Sequence, residues 1–333
     1  MTGERAPYLT FASGKEQSNQ PSAAGLFLRA LRFPISFAIP MRPKFSIITP
    51  SFRQLDWLKL CAASIADQNA APVEHLVQDA GTGPELEAWA ASQPGVQLFV
   101  EKDRGMYDAI NRGLRRATGD IVAYLNCDEQ YLPGTLAAVE RFFSAHPEVD
   151  VVFGDVVVVD ENGGYLCSRP VVLPKLHHTH VCTLGVFTAA TFFRRSLLEK
   201  HGLFFSDEWR ATGDAVWVLE LLRKKVKMAL LGQFVSTSTD TGENLILGPE
   251  AVAEQVRLRE SAPAWVQKLA PLWVLEFRLR RLLAGVYWPR PLSYAIYTAA
   301  SPAERQTFRV EKPTFVWRGR SEKQAAAALA RTT

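Results

Sequence analysis

The sequence contains no uninterrupted apolar run long enough to cross a membrane. The apolar stretch near the amino terminus, residues 25–41, is broken by Arg29, Arg32, Pro34 and Pro40, whereas a membrane-spanning helix needs about 20 predominantly apolar residues. The same interruptions leave no convincing signal peptide. We therefore expect neither a membrane-spanning helix nor export of the protein.

Cysteine is scarce, and the few that occur are not arranged in pairs. Cys61, Cys127, Cys167 and Cys182 form no CxxC motif and have no regular spacing, so free thiols in a reducing compartment are expected rather than a disulfide framework. The histidine-rich segment 177–182 matches no usual spacing of zinc ligands. The composition therefore predicts a cytoplasmic protein without a structural zinc site.

Charge of one sign does not dominate the chain as a whole, because the formal net charge is +4. The charge is nevertheless unevenly distributed. From Glu250 onward fourteen Lys and Arg residues stand against seven Asp and Glu residues, whereas the middle of the chain is net negative. The basic part is either a solvated surface or a contact for anionic lipid or a phosphate-bearing acceptor. We expect no nucleic-acid partner.

The chain divides into three parts by composition and pattern. Residues 1–43, polar and rich in Ser, Gln and Pro as far as residue 24, predict a loose extension. Residues 44–240 alternate strand patterns with helical patterns and are expected to form the catalytic domain, whereas residues 241–333 are basic and have helical patterns. With 47% hydrophobic residues, the chain can bury a sizeable core.

Alternation of strands and helices predicts an α/β fold with a mainly parallel sheet and right-handed crossovers. The second half predicts a β-hairpin around the turn-rich segment 160–164, so the sheet should become mixed there, with helices on its faces. The predicted strands are 45–49, 74–78, 96–100, 121–125, 149–159, 165–172 and 226–235, and the predicted helices include 106–117, 134–146, 196–201 and 214–224.

Ligands of a wound parallel sheet bind beyond the carboxyl ends of its strands. The first predicted strand continues into Thr49, Pro50, Ser51 and Phe52, where backbone groups and hydroxyls suit a nucleotide base or ribose, although ordinary turns have a similar composition. The second strand ends at Asp79, followed by small residues. That acid is equally well a ligand contact or a helix cap.

The fourth predicted strand places Asn126, Asp128 and Glu129 in one loop. Oxygen ligands at alternate positions suit Mg²⁺ or Mn²⁺ that bridges a diphosphate. The alternative is a solvated turn in which Asp128 caps the following helix.

Five segments carry a family resemblance in their order and spacing. They are FSIITPSF at 45–52, VQDAG at 77–81, DRGMYDAINRG at 103–113, TGD at 118–120 and LNCDE at 125–129, followed by FGD at 153–155, TFFRR at 191–195 and GDAVW at 213–217. In this arrangement the chain resembles the inverting glycosyltransferase family 2. The resemblance covers residues 44–240 and implies a nucleotide-diphospho-sugar transferase fold of the GT-A type.

The resemblance implies a role for each motif. Asp214 would be the catalytic base, and Asp128 would ligate Mn²⁺ or Mg²⁺. Asn126 stands where many members have the first acid of an Asp-x-Asp motif, so the metal should be recruited mainly with the donor's diphosphate. The residues that would bind the donor are Thr49, Pro50, Ser51, Phe52, Asp79, Asp103, Arg104, Gly105, Tyr107, Asn126 and Cys127.

The position of Asp214 also fits a purely structural role. It begins a predicted helix, where an Asp can stabilise the first turn as a cap, and the acids Asp207, Glu208 and Glu220 lie nearby in the sequence. The match of residues 213–217 to the base-bearing segment of the family favours the catalytic role.

The function implied by the resemblance is transfer of a sugar, with inversion at its anomeric carbon. The donor would be a nucleoside diphosphate sugar, by preference a UDP-sugar, and the acceptor a hydroxyl of a glycan or of a lipid-linked molecule in cell-surface polysaccharide synthesis. Two alternatives stay open. One is a nucleotidyltransferase acting on a sugar phosphate, although no Gly-rich basic loop follows the first strand. The other is a catalytically degenerate protein that only binds nucleotide sugars.

The carboxy-terminal part also carries an amphipathic pattern. Leu272, Leu275, Leu279, Leu282 and Val286 recur at helical spacing, with arginines beside them. Such a stripe predicts either packing on the catalytic domain or peripheral docking on an anionic inner membrane surface.

Overall fold

The computed structural model describes residues 44–68, 72–242 and 249–317. Strands and helices alternate regularly in the first part, as the pattern predicts. The strands of the described residues are β1 (Phe45–Ser51), β2 (Val73–Asp79), β3 (Val96–Val100), β4 (Ile121–Tyr124), β5 (Glu129–Tyr131), β6 (Val151–Asp160), β7 (Tyr165–Arg169), β8 (Thr191–Arg194), β9 (Met228–Asp240), β10 (Leu292–Thr298) and β11 (Ser301–Val310). The helices are α1 (Leu55–Ala66), α2 (Pro84–Ala91), α3 (Met106–Arg116), α4 (Thr135–Ala145), α5 (Leu176–Val181), α6 (Ser196–His201), α7 (Gly213–Arg223), α8 (Pro249–Glu260), α9 (Ala264–Lys268) and α10 (Ala270–Leu283).

The main sheet is parallel on one side and mixed on the other. β3, β2, β1 and β4 lie side by side and run parallel. β8 is antiparallel between β4 and β6, and β9 runs parallel to β6 with β5 beside it. β7 pairs with β6 across the predicted turn. The predicted mixed sheet is therefore confirmed.

The central strands are apolar on both faces because helices cover both faces. Phe45 and Ile47 of β1 pack with α1 and α4 on one side, whereas Ile48 packs with α3 and α7 on the other. Parallel strands buried in this way have continuous apolar runs instead of alternating ones. Ser51 and Asp79 lie at the carboxyl ends of β1 and β2.

The residues after β9 pack back onto this domain. Leu258 of α8 contacts Ala215 and Leu219 of α7, and Tyr294 and Ile296 of β10 pack on β6. Helices α8, α9 and α10 agree with the helical pattern of this region. The hairpin of β10 and β11 was not predicted, because β11 is polar through most of its length and lacks a clear apolar alternation.

The predicted leucine stripe of α10 lies on the surface. Leu272, Leu275, Leu279 and Leu282 are 53%, 62%, 51% and 40% exposed, whereas Val286, after the helix, is buried. The opposite side of α10 packs on α5. Among the described residues, no helix has both the length and the hydropathy to cross a bilayer.

Candidate functional site

The polar ends of β1, β2 and β4 meet at one edge of the sheet. Ser51 pairs with Asp79 in the β1–β2 register, and β4 lies on the other side of β1. The thiol of Cys127, just beyond β4, donates to the carbonyl oxygen of Pro50 at 3.3 Å. Three of the predicted donor-binding segments are therefore brought together.

Asp79 is fully buried and organises the loop that follows it. One carboxylate oxygen accepts the N–H groups of Gly81 at 2.8 Å and Thr82 at 2.6 Å, and the other accepts the Thr82 hydroxyl at 2.6 Å. The Thr82 hydroxyl in turn accepts the N–H of Arg53 at 2.8 Å. Asp79 thus links the loops after β1 and β2 and does not cap α2, which begins after Gly83.

The first loop presents one aromatic side chain to solvent. Phe52 is 52% exposed, and the Arg53 guanidinium lies 4.9 Å from the centre of its ring. Thr49, in contrast, is buried, with its hydroxyl 2.8 Å from Nε2 of His75. Cys127 is also buried. Because the side chains of Thr49 and Cys127 are buried, the prediction that these two residues contact the donor now concerns their backbone groups.

The segment before α3 is fixed by its own acids. Asp103 accepts the N–H of Gly105 at 3.0 Å, and Asp108 accepts the N–H of Arg104 at 3.1 Å. The guanidinium of Arg104 forms ion pairs with Asp207 and Asp108. Its predicted contact with a diphosphate would therefore require exchange of these partners.

The other arginines of α3 also have partners. Arg112 pairs with Asp108 at 3.0 Å and with Glu101 at 3.2 Å, and Arg116 pairs with Glu101 at 2.6 Å. Arg115 lies over the ring of Phe204. These contacts stabilise α3 against β3 and do not leave a free guanidinium for a phosphate.

The loop after β4 separates the three polar residues that the sequence placed together. Glu129 is buried at the start of β5, and its Oε2 accepts the N–H of Asn126 at 2.9 Å. Burial raises the pKa of both Asp128 and Glu129. The nearby charge of Asp128 raises the pKa of Glu129 further. Oδ1 of Asn126 is buried without a hydrogen-bond partner. Glu129 therefore fixes the loop, while Oδ1 of Asn126 is left without a partner near Asp128.

These two oxygen donors fit a divalent cation that is shared with a diphosphate. Mg²⁺ and Mn²⁺ accept carboxylate, carbonyl and phosphate oxygens, and Mg²⁺ sites often use only one or two protein ligands. Among the described residues, no group of three or more His, Cys, Asp or Glu side chains could hold a metal ion. The geometry thus suits a metal that arrives with its phosphate ligands.

Asp214 lies in the first turn of α7 and contacts α3. Its N–H donates to the hydroxyl of Tyr107 at 3.1 Å, and its Oδ1 accepts the N–H of Ala215 at 2.8 Å. Gly213 permits this approach, since a Cβ there would lie 2.7 Å from the Tyr107 ring. The first turn of α7 is therefore held against the start of α3, next to segment 103–107, which is predicted to bind the donor.

An aromatic cluster forms the wall behind Asp214. Tyr107 stacks on Phe205 with ring centres 5.6 Å apart, Phe205 stacks on Trp217 at 5.0 Å, and Tyr124 meets Phe205 edge-on at 5.3 Å. Burial in these surroundings raises the pKa of Asp214 to about 6. A carboxylate with such a pKa is still ionised at neutral pH and is more basic than an ordinary Asp.

The other acids near Asp214 are engaged elsewhere. Asp207 pairs with Arg104, Glu208 is 74% exposed and lies 3.7 Å from Arg257, and Glu220 pairs with Arg223 at 2.6 Å. Asp214, in contrast, lies in the turn of α7 that contacts Tyr107 of α3.

Glu254 of α8 is a site residue that the sequence did not indicate. Its carboxylate accepts the N–H groups of Arg210 at 2.6 Å, Ala211 at 2.9 Å and Thr212 at 2.9 Å, and the hydroxyl of Thr212 at 3.0 Å. The partners lie 42 to 44 residues apart in the sequence, so periodicity could not reveal them. Glu254 holds the segment that leads into Asp214, and its charge also raises the pKa of Asp214.

The histidines of segment 177–182 pack against aromatic rings. His177 lies 4.8 Å from the ring centre of Trp273, and His178 stacks on Phe277 at 4.0 Å. His180 is 2.9 Å from the hydroxyl of Ser261. Burial lowers the pKa of His178 to about 4, so this ring is neutral at physiological pH.

Residues 46–202 match the family model described as glycosyl transferase family 2. A PGL/p-HBAD biosynthesis glycosyltransferase of Mycobacterium tuberculosis is 36% identical over 126 residues, which are 36% of this chain and 49% of the relative. An uncharacterized glycosyltransferase of the same species is 31% identical over 173 residues, which are 48% of this chain and 62% of the relative. The chain therefore spans about half to three-fifths of the length of these relatives. The predicted family resemblance is confirmed.

Solved structures with the same fold include TarS of S. aureus. Its complex with UDP-GlcNAc has a TM-score of 0.53 and 18% sequence identity, with 72% of this chain and 73% of that chain covered. The complex with UDP has a TM-score of 0.51 and 17% identity, with 72% of each chain covered. This likeness confirms the predicted GT-A-like fold.

Proposed function

We propose, from the premise that residues 46–202 form a glycosyl transferase family 2 domain, that the protein transfers a sugar from a nucleoside diphosphate sugar to an acceptor hydroxyl with inversion. Asp214 acts as the general base. The observation that carries the proposal is the position of Asp214, whose half-buried carboxyl has a pKa of about 6 and lies beside the donor-binding segment before α3.

The donor binds across the ends of β1, β2 and β4. The exposed ring of Phe52 offers a face for stacking of the base or the ribose. The loop that Asp79 holds together presents backbone groups beside it. A UDP-sugar is the donor of first choice, because TarS, which shares the fold, binds UDP and UDP-GlcNAc.

Asp128 and Oδ1 of Asn126 would hold Mn²⁺ or Mg²⁺ together with the donor's phosphates. When bound, such a cation neutralises the negative charge that develops on the departing diphosphate. Glu129 positions the loop for this role by its bond to the N–H of Asn126.

Asp214 takes the proton of the acceptor hydroxyl. The acceptor oxygen forms a bond to the anomeric carbon as the bond from that carbon to the diphosphate breaks, so the configuration inverts in a single displacement. The hydrogen bond from the N–H of Ala215 orients the carboxylate, and the positive end of the α7 dipole favours its ionised form. With a pKa of about 6, the carboxylate is predominantly ionised at pH 7.

The acceptor is a glycan or a lipid-linked molecule, presented at a membrane surface. The leucines of α10 leave an apolar stripe exposed, and α10 also carries Arg278, Arg280 and Arg281. An amphipathic helix with apolar and basic residues binds an anionic interface through both. This surface favours peripheral docking over a location free in solution.

Donor binding and donor cleavage, measured separately, test the proposal. UDP-sugars and other nucleotide sugars are titrated by calorimetry with and without Mn²⁺, and release of the nucleoside diphosphate is then followed. We expect Mn²⁺-dependent binding of one donor class and slow release even with water as acceptor. A chain that binds no nucleotide sugar would contradict the proposal.

A further inference from the structure

Two neighbouring cavities lie between α5 and the carboxy-terminal helices, away from the donor loops. The larger is an open groove of about 1120 Å³ along α10, and the smaller has about 90 Å³ and lies beside the end of β7. Thr183, Phe277 and Arg281 line both of them. The two therefore adjoin each other, with a narrow cavity at one end and a wide groove at the other.

The residues that line the two cavities include several basic side chains and no acidic ones. Arg259, Lys268, Arg278 and Arg281 line the groove, and Arg169 joins Arg281 at the narrow end. No Asp or Glu lines either cavity. Within residues 44–68, 72–242 and 249–317, none of these five cations forms an ion pair with a carboxylate.

Arg169 and Arg281 are the unusual pair in this set. Burial lowers the pKa of Arg169, and the nearby charge of Arg281 acts in the same direction. Two guanidinium groups that are close together without a counterion repel each other, and a partly buried charge without a partner costs stability. Aromatic rings offset part of this cost, since Arg169 lies 5.4 Å from the ring centre of Phe187 and Arg281 lies 5.3 Å from that of Tyr287. An anion between the two guanidinium groups would also remove their repulsion, and guanidinium groups suit phosphate oxygens in particular.

The wide end of the space suits an apolar chain. Val274, Phe277, Tyr287 and Phe315 line the groove, which is far larger than a phosphate requires. With 100° of rotation per residue, the leucine stripe of α10 lies on the face next to Val274 and Arg278. The groove therefore adjoins the exposed apolar stripe, where a lipid chain could continue into a membrane.

The same elements connect this space to Asp214. Helix α5 forms one wall of the groove and packs on α7. Leu184, in the narrow end, packs with Ala215 and Leu219 of α7. A molecule bound by its phosphate in the narrow end is thus held beside the helix that begins with the base.

We propose that these cavities bind a single-chain lipid phosphate, with the phosphate between Arg169 and Arg281 and the chain along Phe277 in the groove. The proposal rests on the proposed function in one respect: it identifies this lipid phosphate as the carrier of the acceptor. Binding itself requires neither donor nor turnover, so it is tested independently.

The test uses decyl phosphate below its critical micelle concentration, titrated into the full chain by calorimetry. Inorganic phosphate and decyl maltoside are titrated in parallel, because they carry only the anion or only the chain. We expect decyl phosphate to bind at least about tenfold more tightly than either. Equal binding of inorganic phosphate would mean a simple anion site, and equal binding of decyl maltoside a simple apolar groove; both results would overturn the proposal.

Arg169→Met and Arg281→Met should each weaken binding of decyl phosphate at least about tenfold, and Arg281→Lys should weaken it less. Arg309→Gln removes the same charge from exposed β11 and serves as the matched control, with unchanged binding. Arg169→Met should melt no lower than the wild type, because it removes an uncompensated charge. Wild-type affinity in both Met variants would refute the site.

Two further measurements separate this inference from its alternatives. If the wild type sediments with anionic vesicles but does not bind decyl phosphate, the basic residues serve membrane docking and the proposal is wrong. Donor binding is measured on the same preparations. Normal donor binding by Arg169→Met with loss of decyl phosphate binding supports the proposal, whereas a wild type that binds decyl phosphate but no nucleotide sugar refutes only the proposed function.

Discussion

Two sides of the catalytic edge are built differently. The donor side, residues 44–131, is held by contacts within one continuous segment, such as those between Asp79 and Thr82, and by neighbouring parallel strands. The acceptor side, α5 and α7 with the carboxy-terminal helices, is held by contacts between distant parts of the chain, such as those of Glu254 with segment 210–212. The donor side lies within the residues that match the family, whereas most of the acceptor side lies beyond residue 202.

The difference between the two sides indicates which part of the chain determines acceptor specificity. In the proposed function, the domain that matches the family would bind the donor, and the parts of the chain beyond it would bind the acceptor. If this division is correct, substitutions on one side should affect donor affinity and substitutions on the other should affect turnover.

The largest expected effect belongs to Asp214→Asn. The amide can still accept the N–H of Ala215 but cannot take a proton, so turnover should fall about 10² to 10⁴-fold. Donor affinity, measured by calorimetry, should stay unchanged. Glu208→Gln, which alters a nearby exposed acid, is the control and should retain turnover. Near-normal turnover of Asp214→Asn would show that another group is the base.

The second effect tests the donor side. Asp128→Asn removes the acid that is predicted to bind the metal, whereas the other acid at this loop, Glu129, fixes the loop through the N–H of Asn126. Donor affinity in the presence of Mn²⁺ should fall about 10- to 100-fold, and the difference between titrations with and without Mn²⁺ should disappear. Undiminished dependence on Mn²⁺ would place the metal elsewhere.

Much of the donor side could be predicted from the sequence for a physical reason. Strands buried on both faces have continuous apolar runs, and their ends are marked by Ser51, Asp79 and Asn126. The position of Asp214 in the first turn of a helix followed from helical spacing in the same way. Both features depend on residues close together in the sequence.

The rest depends on the direction of side chains and on contacts between distant segments. Glu129 was placed beside Asp128 by sequence, but its carboxyl turns inward to the N–H of Asn126. Arg104 was expected at the diphosphate, but it pairs with Asp207, more than one hundred residues away. Glu254 lies in a helix whose pattern gives no sign of the α7 segment that it holds.

Glu254→Ala should lower turnover about tenfold with little change in donor affinity. The loss of four hydrogen bonds to segment 210–212 loosens the approach to Asp214. The loss of the negative charge should also lower the pKa of Asp214, so the acid limb of the pH profile of kcat should move to lower pH.

Glu254→Gln distinguishes the two effects of Glu254, since it keeps an acceptor oxygen and removes the charge. It should shift the pH profile but retain more turnover than Glu254→Ala. Glu250→Ala, which removes a more exposed acid one turn earlier in α8, is the control for the helix. An unchanged pH profile in both Glu254 variants would contradict the assigned influence on Asp214.

Asp214→Asn should also change stability in a pH-dependent way. Since the folded-state pKa of Asp214 is about 6, the wild type loses stability as pH rises from about 4 through 6, when the buried carboxyl ionises. The variant should therefore be more stable than the wild type by about 1 to 3 kcal/mol at pH 8. Urea unfolding should show a higher free energy of unfolding for the variant than for the wild type at pH 8. At pH 4 this difference should vanish.

The smallest effect concerns the exposed stripe of α10. The double substitution Leu275→Gln and Leu279→Gln removes two surface leucines and should reduce co-sedimentation with anionic vesicles severalfold. Donor affinity and the melting temperature should not change. Equal co-sedimentation of variant and wild type would show that these leucines do not contribute to membrane docking.

The central claim, sugar transfer from a nucleoside diphosphate sugar, is tested most directly by ³¹P NMR of the donor during incubation with the wild type, Mn²⁺ and candidate acceptors. The account predicts that the diphosphate signals of the donor are replaced by those of the free nucleoside diphosphate, at a rate that Asp214→Asn nearly abolishes. Appearance of a nucleoside monophosphate and a sugar phosphate, or tight donor binding without any cleavage, would contradict it.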